Sequence, residues 1–361
     1  MTSPLADIIR AEIREAGPMP VSRFMALALG HPKHGYYITR DPLGTDFTTS
    51  PEISQMFGEL IGAWAADCWA KLGAPSPFAL VELGPGRGTL MADALRATKA
   101  VPGFAAAAQI CLVETSPVLR RTQHETLRPV LEQGGYRQPR WLDSTATLPD
   151  MPLIVIANEF IDALPIRQFI ATDDGWRERC VVEFQGNLVF TAAPAPLPDI
   201  SILPEAVHTA PPGAIAEVCP AGTAITADIA RRLKARGGAA LFIDYGYGRS
   251  QPGDTLQAMH EGAYVPVLEA PGTADITAHV DFEALVASAT PAAAIHGPAT
   301  QGQFLLALGI AQRAAMLAQH ATPDQAKAIE AALSRLTHAD AMGTLFKVMA
   351  VTSHGLTPAG L

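Results

Sequence analysis

The sequence predicts an α/β protein built on a doubly wound, mostly parallel sheet, and three observations lead there. Short apolar runs alternate with amphipathic ones: FALVEL (78–83) then GTLMADALRATKA, QICLVE (109–114) then SPVLRRTQHETLRPVLEQ, and then PLIVIAN (152–158). Apolar runs of this length without polar alternation suit strands covered on both faces, and strands separated by helices suit parallel pairing. The runs end at Glu82, Glu114 and Asn158-Glu159, at the edge where a doubly wound sheet gathers its ligands.

The elements follow in order. PLADIIRAEIREAGPMPVSRFMALAL reads as two amphipathic helices broken at Gly17-Pro18, with Ser22 as a cap for the second. HPKHGYYITRDPLGTDFTTSPEIS is loop-like, and a loop of that length in a compact domain tends to carry function. Ser50-Pro51-Glu52 opens a helix running to about Leu72, with proline in the first turn. RWLD is a short strand. After PLIVIAN the alternation stops: RQFIATDDGWRERCVVEFQGNLVF has period-two patterning around a turn at 185–187, which suits antiparallel strands. Residues 192–213 read as loop. A helix near 222–236 ends at Gly237-Gly238, and ALFIDYGYG is a further buried strand. The tail holds helices near 303–318 and 323–336 and a last strand in MGTLFKVMAVTS. The expected organisation is an N-terminal helical region and lid (1–75), a core (76–165 and 214–361) and an inserted β-rich, substrate-facing subdomain (166–213).

Composition narrows the function. Of 361 residues 48% are hydrophobic and 17% charged, which supports a large core and excludes global disorder. The net charge of −9, with no Lys/Arg block, argues against nucleic acid and leaves room for a cationic protein segment. The cysteines at 68, 111, 180 and 219 form no CxxC pair and read as packed thiols of a reducing compartment. No apolar run reaches the ~18 residues of a membrane span. The N-terminus has neither an apolar signal core nor an Arg-rich transit character. A cytoplasmic, bacterial-type protein without membrane insertion is expected.

The chemistry gathers at the strand ends. In Glu82-Leu83-Gly84-Pro85-Gly86-Arg87-Gly88 the spacing is G-x-G-x-G after an acid, whereas a dinucleotide fingerprint is G-x-G-x-x-G. An acid there opposes a phosphate and suits a ligand with a cationic amino group beside a nucleoside, which points to S-adenosylmethionine. Glu114 ends the next strand, where a carboxylate takes both ribose hydroxyls. Asp143 either meets the adenine edge or caps the next turn. Asn158 contacts the cofactor or fixes its loop. On the loop after the fourth strand, Glu159 and Asp162 either meet the substrate or cap the FIDALP turn. Thr48, Thr49 and Ser50 offer hydroxyls over the cofactor, and Glu52 either binds the methionine amino group or complements the helix dipole. Tyr36 and Tyr37 line an entrance or pack. Asp244 and His279 divide evenly between site and structural roles. His31 and His34 lack a third ligand at metal spacing, so no metal is expected.

The motifs HPKHGYY, DFTTSPEISQMFGELIG, VELGPGRGTL, ANEFIDALP, IDYG, DITAHVDF, TQGQFL and MGTLFKVMA, in that order, resemble the MidA-like family. The resemblance covers nearly the whole chain and rests most on SPEISQMFGE and NEFIDALP. It implies a Rossmann-like class I S-adenosylmethionine-dependent methyltransferase, like the mitochondrial complex I assembly factor with arginine methyltransferase activity. It further implies symmetric dimethylation of an arginine in the large (49 kDa-type) subunit of respiratory complex I. Two rivals stand beside it: an S-adenosylmethionine-binding assembly chaperone without turnover, and a small-molecule methyltransferase.

Overall fold

A computed structural model describes residues 3–39 and 49–361. Within it the chain forms two compact units that interleave along the sequence. Unit 1 comprises residues 1–47, 161–224 and 247–285, and unit 2 comprises 48–160, 225–246 and 286–361. By this division residues 49–75 fall in the unit of the sheet, and 247–285 fall in the unit of the N-terminal helices. Among the described residues no helix is long and apolar enough to cross a membrane.

Unit 2 is organised by seven strands: β1 (Phe78–Leu83), β2 (Ala108–Val113), β3 (Arg140–Leu142), β4 (Leu153–Asn158), β5 (Gly238–Tyr247), β6 (Ala294–Thr300) and β7 (Phe346–Thr352). Their order is β6-β7-β5-β4-β1-β2-β3. Neighbours from β5 to β3 run parallel, and β7 runs antiparallel between β5 and β6. Every residue of β1 and of β4 is buried, as expected of central strands covered on both faces. The strand order reverses between β1 and β4, so the crevice beyond their carboxyl ends is the switch point where such sheets bind ligands.

Local sequence explains the helices that cover this sheet. Helix Gln55–Lys71 crosses helix Thr89–Thr98 through Gly58 and Gly62. A Cβ at 62 would lie 2.6 Å from Ala94 Cα, and one at 58 would lie 2.6 Å from Asp93 Cβ, so only glycine permits the approach. Trp69, Phe78 and Phe104 form an aromatic triangle with centroids 5.1–5.9 Å apart beneath them. The helix expected from Ser50 to Leu72 is two helices, Ser50–Ile53 and Gln55–Lys71. They break at Ser54 (φ −163°), whose hydroxyl caps the second by accepting from Met56 N at 3.2 Å. The helix expected over 303–318 is likewise divided, at Gly309 with φ 91°.

In unit 1, helices Pro4–Ala16 and Val21–Gly30 pack on an antiparallel sheet built from 167–172, 175–184, 187–192 and 215–218. The two-residue strand Met19–Pro20 extends that sheet by pairing with Cys180 and Val181. The sequence suggests the hairpins but not the strand at 215–218. It also gives no sign of the small sheet of 257–260, 263–265 and 275–277, whose strands are too short to show a period.

Candidate active site

The loop after β1 is shaped by three left-handed glycines, with φ of 62° at Gly84, 53° at Gly86 and 83° at Gly88. It is pinned at both ends: Gly84 N donates to Val113 O at 3.0 Å, and Gly88 N donates to Pro85 O at 2.7 Å. A Cβ on Gly84 would meet Phe160 Cδ2 at 2.9 Å, so the loop after β4 lies directly against the glycine loop. Helix Thr89–Thr98 begins where the loop ends, and Thr89 Oγ1 donates to Glu52 Oε1 at 2.6 Å. That bond engages one carboxylate oxygen of Glu52, which the sequence left between two other roles.

Two buried polar atoms stand at the carboxyl ends of the neighbouring strands β1 and β4. Glu82 Oε2 and Asn158 Oδ1 have no hydrogen-bond partner among the described residues. Burial raises the Glu82 carboxyl from its ordinary 4.5 to about 8, against a smaller lowering by the Met91 backbone. Buried polar groups are nearly always bonded, so such orphans mark a ligand's place.

Glu114, after β2, is buried and held in one orientation. Its Oε1 accepts from Ser116 N at 2.7 Å, and its Oε2 accepts from Gln123 Nε2 at 3.2 Å. Burial raises its carboxyl, and the bonds from Ser116 and Gln123 oppose the shift. Ser116 also caps helix Pro117–Gly134 by accepting from Leu119 N. Asp143 is 85% exposed and paired with Arg120 at 2.6 Å, while the cap of the following turn falls to Ser144.

Glu159 follows β4 with φ 49°, a left-handed conformation unusual for a residue with a side chain. Its N donates to Ile243 O at 2.9 Å, and its Oε1 accepts from Ser50 N at 3.0 Å and Asn158 Nδ2 at 3.1 Å. Ser50 is buried, with its hydroxyl 3.5 Å from Gln301 Oε1. Thr49 precedes the short helix and accepts Glu52 N through its carbonyl. Thr48 and the rest of residues 40–48 lie outside the described residues. Asp244 lies in the last part of β5, where its Oδ1 accepts from Tyr245 N at 3.0 Å. Its register partner Lys347 donates to the carbonyls of Gly246, Thr344 and Leu345.

Asp162 belongs to unit 1. There its carbonyl accepts from Ala278 N, and its charge, with that of Asp275, raises the Tyr37 hydroxyl well above its ordinary range, after the larger effect of burial. Tyr37 donates to Asp275 Oδ1 at 2.6 Å, and Tyr36 is fully buried. His279 N donates to Thr255 Oγ1. His31 Nδ1 accepts from the backbone of Lys33 and His34, so this histidine closes a turn. Sequence reasoning missed Gln123, which donates to Glu114, and Trp141, which donates to Gln123. The available signal was a glutamine on the apolar stripe Leu119, Gln123, Leu127, Val130 and Leu131.

An antiparallel β7 set into a parallel sheet, with an acid-led glycine loop at the switch point and a second acid on the next strand, defines the S-adenosylmethionine-dependent methyltransferase class. Residues 60–299 match the sequence profile of a family described as S-adenosyl-L-methionine-dependent methyltransferases. The chain is 34% identical over 375 residues to the human mitochondrial protein arginine methyltransferase NDUFAF7, covering 98% of this chain and 84% of the relative. It is 36% identical to the Danio rerio protein of that name, covering 95% of this chain and 85% of the relative. A COG1565 superfamily member from Burkholderia thailandensis, solved bound to S-adenosyl-homocysteine, superposes with a TM-score of 0.83 at 30% identity. That match covers 99% of this chain and 93% of the other. The chain therefore belongs to this methyltransferase family, it is an enzyme, and its cofactor is S-adenosylmethionine. The orphaned acceptors at Glu82 and Asn158 fit the cofactor's cationic end.

Proposed function

We propose that this chain is a protein arginine N-methyltransferase. It forms symmetric dimethylarginine on the 49 kDa-type subunit of respiratory complex I and so supports assembly of that complex, in a cytoplasm of bacterial type. The observation that carries the reading is the Glu159 carboxylate at the exit of β4. A left-handed backbone at a non-glycine residue costs about 1–3 kcal/mol and persists where surrounding structure imposes it, often at functional sites. Here Ser50 and Asn158 impose it from two sides. A guanidinium is planar, cationic and protonated, and a fixed carboxylate is its natural fork. The names of the curated relatives support the same residue class as substrate.

The distribution of charge supports a cationic protein partner. Unit 1 carries 19 Asp and Glu against 9 Lys and Arg, a net −10, whereas unit 2 carries 16 against 17, a net +1. The net negative charge of the protein thus lies entirely on unit 1, where it steers a basic chain segment by long-range attraction.

When bound, S-adenosylmethionine supplies a methyl group on a positively charged sulfur, which takes the electron pair of the broken C–S bond as the new N–C bond forms. The protein's part is chiefly alignment, which accounts for a large share of such a barrier. Glu159 holds the guanidinium and takes the proton that the methylated nitrogen releases. Glu82 and Asn158 hold the methionine end, and Glu114 takes the ribose hydroxyls. Peptide mass mapping of the complex I subunit from cells with and without this gene tests the reading. Two methyl groups on one arginine should be lost with the gene, and their persistence would sink it.

Two binding results are expected. Glu114→Ala removes a charge-assisted acceptor worth roughly 1.5–3 kcal/mol per bond, so with both hydroxyls affected calorimetry should find cofactor affinity weaker by about a hundredfold or more. An unchanged Kd would take Glu114 out of the site. The second result concerns protons. Below about pH 8 Glu82 is largely protonated in the free protein, and a bound cation stabilises its charged form. Binding at pH 7 should release a proton, and affinity should rise with pH until the free carboxyl itself ionises. Calorimetry in buffers of different ionisation enthalpy measures the release, and Glu82→Gln should abolish it.

A further inference from the structure

Gln123 occupies a position that helical periodicity reserves for the core, and it is 0% exposed. Burying an amide costs roughly 1–3 kcal/mol unless its bonds are met. Here all of them lead to the cofactor side of unit 2. Trp141 Nε1 donates to Gln123 Oε1 at 2.8 Å, while Gln123 Nε2 donates to Gly86 O at 2.8 Å and to Glu114 Oε2 at 3.2 Å.

The donor inventory fixes the direction of this chain. An indole N–H donates only, so the atom facing it must be the amide oxygen. The NH₂ group then faces two acceptors, the carbonyl of the glycine loop and the carboxylate after β2. The flipped amide would set donor against donor once and acceptor against acceptor twice. Trp141, on the edge strand β3, therefore determines how Gln123 presents itself, and Gln123 joins Gly86 to Glu114.

We propose that Gln123 is a positioning residue for cofactor binding: oriented by Trp141, it locks the glycine loop to Glu114 and fixes the carboxylate in the orientation that receives the nucleoside diol. This rests on the ribose role given to Glu114 above. Gln123 touches no reacting atom and acts through its two acceptors.

Calorimetric titration with S-adenosylmethionine tests it in the full chain, with thermal melting as the check on folding. Gln123→Met keeps the bulk and removes every bond, and should weaken affinity about tenfold. Trp141→Phe keeps a ring and frees the amide, and should weaken it severalfold. Gln123→Glu is the decisive variant. When ionised it opposes Glu114 with like charge and has no donor. When protonated it regains one O–H donor while its carbonyl still accepts from Trp141. Its affinity relative to wild type at the same pH should therefore recover as pH falls from 8 to 6, a trend that simple loss of packing does not produce. The loss from Gln123→Met should also shrink in a Glu114→Ala background.

Wild-type affinity in folded Gln123→Met, or a pH-independent deficit in Gln123→Glu, would overturn the proposal. If Glu114→Ala alone binds like wild type, the ribose reading falls. If Glu114→Ala weakens binding and the losses simply add, the ribose reading stands and the coupling through Gln123 is refuted.

Discussion

Glu159→Gln should lower methyl transfer by ~10²–10⁴-fold, the usual cost of losing a positioned acid or base, with little change in cofactor affinity. The geometry makes this substitution unusually clean. Glu159 Oε1 already accepts from Ser50 N and Asn158 Nδ2. A glutamine carbonyl can accept both, which places its NH₂ where the second carboxylate oxygen was. Both of these bonds are kept, and the negative charge that would face a cationic substrate is lost. Single-turnover assays with the protein substrate, beside calorimetry with the cofactor, separate the two effects. Transfer at the wild-type rate would rule out arginine chemistry at this loop, and loss of cofactor binding would move Glu159 into the cofactor's own shell.

Gly86→Val should have the opposite signature, with cofactor binding lost and transfer lost because of it. Gly86 holds φ 53°, a region in which a β-branched side chain is a severe outlier. Its carbonyl is also the acceptor for Gln123, so a loop that swings to relieve the strain abandons that bond. With backbone strain on the order of 1–3 kcal/mol added to a lost hydrogen bond, affinity should fall by a hundredfold or more. Titration calorimetry or protection from thermal unfolding by the cofactor reads the change. Normal binding by Gly86→Val would mean that the cofactor does not rest on this loop.

The sheet was legible because central parallel strands are continuous apolar runs: FALVEL and PLIVIAN announce themselves and their polar ends in one step. The glycine loop was legible because left-handed backbone leaves glycine as its trace. Other features leave no such trace. Ser50 meets Glu159 across 109 positions of chain, and no local period records a contact of that kind. Gln123 reads as one polar residue on a helix until the indole beside it is known. The short strands of 257–277 fall below the length at which alternation can be counted. Asp143 was noticed at the right strand end, yet its pairing with Arg120 depends on where a helix side chain four residues past the cap comes to lie.

The place of β7 has a consequence for how the protein is made. The strand that joins β5 to β6 is drawn from residues 346–352, later in the chain than both of them. During synthesis β5 therefore emerges before the strand that later covers 239–245 of it, and β6 waits for that strand until helices Ile310–Ala318 and Pro323–Thr337 have been made. Unpaired edges of this kind template association with other chains. The nascent polypeptide should depend on holdase chaperones until β7 is made, and a premature stop before codon 346 should yield aggregates rather than a smaller working enzyme.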